Sequence, residues 1–312
     1  MKTKSKQQFL SKTILAFAML FLFAASEMWG QNFIMKGENA TYQSSCSGVI
    51  KLKSVGTAGQ HFQNIAPLPA NPLGTSGNPI PGIVDWAATG DGQTVQGNFY
   101  YEHLVVSGGD KTLADGIHVT GNACSESIVG YSQIEEYPFY STATGDLTFE
   151  GTFNYEGTTA TIFPLYTATG TQPNNYNILN LSGGGTITAG EAGLGDFGAT
   201  NVILASGTTL NIEGNIYTFG GESQFDGPVE ILASGSINPG TGNLVFDNTL
   251  TITNGDLIVQ DGDGSVTIDE NGSLNLVGDL SVINFGDSTN LIITGAITNG
   301  GNGQNLVFDC GS

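Results

Sequence analysis

The stretch Thr249-Leu-Thr-Ile-Thr-Asn-Gly-Asp256 decides the fold. Leu250 and Ile252 alternate with Thr249, Thr251 and Thr253, a period of two that marks a strand with one buried side. Asn254, Gly255 and Asp256 then supply the residues that turn a chain sharply. The same word returns as Leu210-Asn-Ile212, Leu274-Asn-Leu276 and Leu291-Ile-Ile293, and the separators Asp261-Gly-Asp-Gly264, Glu270-Asn-Gly272 and Thr298-Asn-Gly-Gly301 are turn-forming again. A strand of four or five residues cannot bury its apolar side alone. Stacked rungs join such sides into one core and pair each backbone with the rungs above and below. The pattern therefore predicts an all-β chain, a right-handed parallel β-helix or β-solenoid, with tandem β-sandwich domains as the rival that the turn spacing also admits.

Longer words repeat as well. Tyr101-Glu-His-Leu-Val-Val-Ser-Gly-Gly109 matches Tyr176-Asn-Ile-Leu-Asn-Leu-Ser-Gly-Gly184 at an offset of 75. Ile203-Leu-Ala-Ser-Gly207 returns as Ile231-Leu-Ala-Ser-Gly235, and Asn243-Leu-Val-Phe-Asp247 as Asn305-Leu-Val-Phe-Asp309, at offsets of 28 and 62. These irregular spacings bracket the periods of solenoid rungs. The repeats define a region over 86–312. Residues 31–85 contain three lysines and a Pro-rich run, Pro67-Leu-Pro69 through Pro79-Ile-Pro81, and are expected to form an irregular N-terminal cap or linker, because proline cannot donate to a ladder.

Residues 1–30 have the pattern of an export signal: Lys2, Lys4, Lys6 and Lys12 precede an apolar run, 14–25, of 12 residues. That run fits a signal peptide and falls short of the roughly 20 residues needed to span a bilayer. The mature chain is then expected to have no transmembrane segment and to be secreted or held at the cell surface, in association with an outer membrane. Its only basic residues are Lys36, Lys51, Lys53 and Lys111, since the chain has no arginine. With Glu27 removed, 27 acidic residues remain, for a net charge of 4 − 27 = −23. A field of this sign repels phosphate backbones and so excludes nucleic acid as a partner.

Cys46, Cys124 and Cys310 are bound for an oxidising compartment, where a Cys46–Cys124 disulfide is the natural pairing and Cys310 is left over. No CxxC and no Cys/His cluster occurs along the sequence, so neither zinc nor redox chemistry is expected.

A resemblance adds to this. Val84-Asp-Trp-Ala-Ala-Thr-Gly-Asp-Gly-Gln-Thr-Val95, Tyr100-Tyr101, Leu104-Val-Val-Ser-Gly-Gly-Asp-Lys-Thr-Leu113 and Val119-Thr-Gly121 together resemble a repeat of large secreted surface proteins of Bacteroidetes-type bacteria. The match covers about 40 residues well and departs at Glu102-His103. It implies an adhesin-like or autotransporter-passenger-like protein and carries no catalytic residues. Many such proteins end in a sorting domain. This chain stops inside a repeated strand word, so either a fragment or another mode of attachment is expected.

Candidate chemistry is sparse. A lyase on this scaffold needs a basic residue against the substrate carboxylate, and Lys111 is the only lysine in the repeat region. A glycoside hydrolase needs converging carboxylates, whereas the acidic residues here fall in turns. His61, His103 and His118 have no nucleophile context. Asp261, Asp263 and Asp269 are candidate Ca²⁺ ligands, since Ca²⁺ takes six to eight oxygens, although the spacing fits no EF-hand. No other cofactor is expected. Tyr100, Tyr101, Tyr137, Tyr140, Tyr155, Tyr166 and Tyr176 could form a platform for sugar rings, or serve simply as good strand residues. The expected function is non-catalytic, structural or adhesive, toward an extracellular glycan or protein surface. The alternative is a carbohydrate-binding or carbohydrate-active β-helix.

Overall fold

The computed structural model describes residues 33–36, 46, 48–53, 62–65, 72–90, 92–125, 128–165, 175–189, 197–232, 235–253, 256–259, 264–277, 280–285, 290–299 and 305–309. The expected leader lies outside them. Every strand pairing among these residues is parallel, and the sole antiparallel contact is an isolated bridge between Thr75 and Asn78. The chain is a β-solenoid, and the sandwich rival, built from antiparallel sheets, is excluded. Among the described residues, helix is confined to one 3₁₀ turn, Ser132–Glu135. No helix among the described residues is long and apolar enough to cross a membrane.

The second half shows the unit most simply. One coil contains Ser236–Asn238, Asn243–Phe246 and Thr249–Thr253. The next contains Asp256–Val259, Ser265–Ile268 and Ser273–Val277. Each strand pairs with its counterpart one coil on, so three parallel faces enclose one core. Ladder partners on neighbouring coils here lie 20 to 26 residues apart. Inward residues stack in columns: Leu210, Val229, Leu250 and Leu274 lie in register and are fully or almost fully buried. In-register stacking at the inter-strand spacing also brings like rings together. Phe225 and Phe246 lie with centroids 4.7 Å apart and planes within 11°.

The first half is wider, with an aromatic core that includes Phe139, Phe149, Phe153, Tyr155 and Tyr176. Two long strands, Phe99–Gly108 and Phe197–Leu204, run around a corner and pair on two faces, which merges most strands into one 17-stranded sheet. At the end of the first of these strands Gly108 has φ +87°, and a Cβ there would strike the Ala88 carbonyl of the previous coil. Only glycine serves at that corner.

Stacking starts before residue 86. Val49–Leu52 pairs with 83–86, and Ile80–Trp86 pairs with Phe99–Gly108. The prolines disguise this. Pro81 and Gly82 fall in a register shift between Ile80 and Ile83, where no ladder donor is required of Pro81. The Gly82 N–H is taken instead by the Glu102 carboxylate at 2.6 Å.

The long sequence repeats also do not superpose coil on coil. Tyr101 lies beside Val119, and that column continues through Tyr155 to Leu181 rather than to Tyr176. Asn243–Phe246 lies on the face of Ser265–Ile268, whereas Asn305–Asp309 lies on the face of Leu280–Phe285. The words repeat face to face within and between coils. All three faces impose the same demand of alternating inward residues followed by a tight corner, so spacings between words need not equal a whole number of coils.

Candidate functional site

The face formed by Val49–Leu52, Ile80–Trp86, Phe99–Gly108 and Phe139–Ala143 differs from the rest in being covered on both sides. Its inward column is Ile50, Val84, Leu104 and Phe139. Its outward column, Lys51, Asp85, Val105 and Tyr140, would meet water on an ordinary solenoid. Between Phe99–Gly108 and Phe139–Ala143 the ladder offset is 35 residues, and the excess, whose described residues are 120–125 and 128–138, folds back as a strap over this outer surface. Tyr131, Ile134 and Tyr137 of the strap join Ile83, Val105, Tyr140 and Cys124 in a second apolar cluster outside the coil.

Beneath the strap lies a polar group. Asp85 is 1 % exposed and accepts hydrogen bonds from the Ser107 hydroxyl at 2.7 Å and the Tyr131 hydroxyl at 2.9 Å. Lys51 forms an ion pair with it at 3.2 Å, and its ammonium lies 5.6 Å from the Tyr131 ring centroid. A buried carboxylate is tolerable only with such partners. The strap is therefore tied down by a carboxylate from the coil, and the coil's buried charge is satisfied by a tyrosine from the strap. Tyr140 is also buried, but its hydroxyl has no hydrogen-bond partner; burial, with the charge of Asp85, pushes its phenol up.

The strap is closed by a disulfide between Cys46 and Cys124, whose Cα atoms are 6.0 Å apart. His103, 2 % exposed, sits against it. Its Nε2 is 3.5 Å from Cys124 Sγ and 3.9 Å from Cys46 Sγ, and donates to the Asn122 carbonyl at 2.7 Å. The buried Nδ1 has no partner. The fold thus assembles a Cys/His cluster that is absent from the sequence as a motif, because 57 and 21 residues separate His103 from the two cysteines.

The other sequence candidates are scattered. Lys111 points into the coil, 1 % exposed, and its amine donates to the Ala88 and Gly109 carbonyls at 2.9 and 2.7 Å. Desolvation lowers its pKa, opposed by Asp85 and Asp110. His118 is half-buried, stacked on Tyr100 with centroids 3.9 Å apart, and its Nδ1 donates to Glu156 at 2.5 Å. Of the tyrosines, Tyr101, Tyr137, Tyr140, Tyr155 and Tyr176 are core or strap residues, buried rather than displayed. Tyr166 lies outside the described residues, as do His61, Cys310, Asp261 and Asp263.

Asp269 is described and occupies a corner where its carboxylate accepts from the Glu270 N–H at 2.6 Å. In the ladder it follows Asp226 and Asp247, each of whose backbone N–H groups bonds to the coil before. Partial burial, then the charge and hydrogen bond of Asp269, then the charge of Asp226, raise the Asp247 carboxyl above its usual range; Gln224 opposes them. Several outward polar residues in the later coils are tied to one another: Asn243 to Ser265 at 2.8 Å, Thr249 to Ser273 at 3.1 Å, Glu230 to Thr253 at 2.8 Å, Asn275 to Thr298 at 3.1 Å.

The covered face leaves no distinct trace in the sequence. Ile83-Val84, Leu104-Val105-Val106 and Phe139-Tyr140 are continuous apolar runs. Leu244-Val245-Phe246 and Leu291-Ile292-Ile293 of the later coils are continuous too, although Ile292 is exposed, so the runs alone do not single this face out.

No protein-family model matches the chain, and no solved structure gives a significant match. The chain is similar to outer membrane protein B of Rickettsia japonica, at 27 % identity over 308 residues, covering 86 % of this chain. It spans only 16 % of that relative's length.

Proposed function

We propose that the chain is a non-catalytic segment of a cell-surface protein, a stiff parallel ladder that holds or presents an adhesive surface outside the cell. The observation that carries this reading is the use of the outward polar residues. Among the described residues, the pairs Glu230–Thr253, Asn243–Ser265, Thr249–Ser273 and Asn275–Thr298 bond coil to coil, which builds rigidity along the ladder axis and commits those side chains to one another. Lys111, the lysine that lyase chemistry would require, is committed to two carbonyls inside the coil. The similarity to an outer membrane protein supports a surface location, and the net acidic charge favours solubility of so long a row of strands. The burial of Tyr101, Tyr137, Tyr140, Tyr155 and Tyr176 favours this reading over one in which those rings form a platform for sugars.

The test has two arms. Beads coated with the purified chain are presented to surfaces carrying extracellular-matrix proteins or glycans, and the same chain is incubated with polysaccharides and assayed for reducing ends. Retention on a protein or glycan surface with no release of reducing ends is expected. Robust bond cleavage, or retention no better than that of a control acidic protein, would overturn the proposal.

A further inference from the structure

We infer that Cys46, Cys124 and His103, once the disulfide is reduced, form a site for a thiophilic divalent cation of the Zn²⁺ type. The three ligand atoms all lie within 4.8 Å of one another. A tetrahedral Zn²⁺ with Zn–N near 2.0–2.1 Å and Zn–S near 2.3 Å requires its nitrogen and sulfur donors to be about 3.6 Å apart. The observed Nε2 distances are 3.5 Å to Cys124 Sγ and 3.9 Å to Cys46 Sγ. The imidazole nitrogen thus already stands at the donor spacing a tetrahedral centre needs; the two sulfurs have to separate, and the Asn122 carbonyl on the Nε2 donor direction has to withdraw.

The surroundings suit such a centre. His103 and Cys124 are 2 and 3 % exposed, while Cys46 is half-buried and leaves an approach from solvent. Two thiolates neutralise a dication, so no net charge is buried. The Asn122 carbonyl, 2.7 Å from Nε2, accepts the proton that a metal would replace, and with that carbonyl withdrawn a water completes the four donors.

The chemistry balances. A dithiol reductant gives two electrons and two protons to the disulfide, forming two thiols and its own disulfide. Cation binding then releases those two protons, and the His103 proton moves from Nε2 to Nδ1. Disulfide and metal clasp the strap at the same point, so the cover over Asp85 is held whether the surroundings are oxidising or reducing.

The test uses the full chain, reduced anaerobically with its thiols counted, and titrated with Co²⁺ in competition with Zn²⁺. Thiolate-to-cobalt charge transfer and tetrahedral visible bands are expected, saturating at a single Co²⁺ per chain and absent from the oxidised protein. Cys46→Ser and Cys124→Ser abolish them, His103→Gln weakens binding about tenfold or more, and Cys310→Ser leaves it unchanged. If reduction unfolds the chain, Zn²⁺ is expected to restore the β-sheet circular dichroism. Free thiols that give no cobalt bands, bands that follow Cys310, or an unfolded reduced chain that Zn²⁺ fails to refold would each overturn the inference.

Discussion

Replacing Asp85 with alanine tests whether the strap is anchored by the carboxylate beneath it. The side chain is 1 % exposed and receives two hydroxyl hydrogen bonds, from Ser107 and Tyr131, and one ion pair, from Lys51. Hydrogen bonds to charged groups contribute about 1.5–3 kcal/mol each, and removing one partner of a buried pair costs about 3–5 kcal/mol. Lys51 is 23 % exposed, so its ammonium can swing into water and relieve part of that loss. The expected cost is therefore about 3 kcal/mol, at the low end of the range. Lys51→Met is expected to cost less, about 1 kcal/mol, because the carboxylate keeps both hydroxyls. Tyr140→Phe serves as the control. It removes a hydroxyl without a partner and should change stability by less than about 0.5 kcal/mol. Urea unfolding followed by the fluorescence of Trp86, fully buried one residue from Asp85, reads the total effect. Hydrogen exchange over 128–138 reads the strap itself. A cost for Asp85→Ala below about 1 kcal/mol, or strap amides as protected as in the parent chain, would refute the anchoring argument.

Further outcomes follow from other parts of the coil. Reducing the Cys46–Cys124 bridge in the presence of a chelator releases a loop of 78 residues, and a chain-entropy estimate puts the lost stability at about 4.5 kcal/mol, measurable as a fall in the urea midpoint. Leu250→Ala, at a fully buried position between Val229 and Leu274, is expected to cost about 2–5 kcal/mol by calorimetry or denaturation. Asp247→Asn has a signed pH dependence. The folded carboxyl is raised above its unfolded value, so both states are protonated in strong acid and the group contributes nothing there. As pH rises through the unfolded and then the folded value, its ionisation costs stability. The amide variant is therefore expected to match the parent in acid and to melt higher at neutral pH; an equal or lower neutral melting temperature would count against the stacked-carboxylate account.

Much was written in the sequence. Thr249 to Thr253 alternates because one side of its strand faces a core and the other faces water, a purely local demand. The Gly-, Asn- and Asp-rich separators fix tight corners equally locally, so the all-β solenoid was legible from the words themselves. Register was not. Tyr101 and Tyr176 share a word but not a column, since any of the three faces accepts the same apolar alternation, and only the hydrogen bonds between coils select which strand lies on which. The covered face was hidden for a different reason. Whether Asp85 meets water or Tyr131 depends on a segment some 46 residues away folding back over it. Likewise, whether His103 is an isolated histidine or the neighbour of two sulfurs depends on Val49–Leu52 and the strap converging on Phe99–Gly108. Local alternation specifies a strand and a corner; burial of an outward side chain is a long-range property, and the tertiary structure alone decided it.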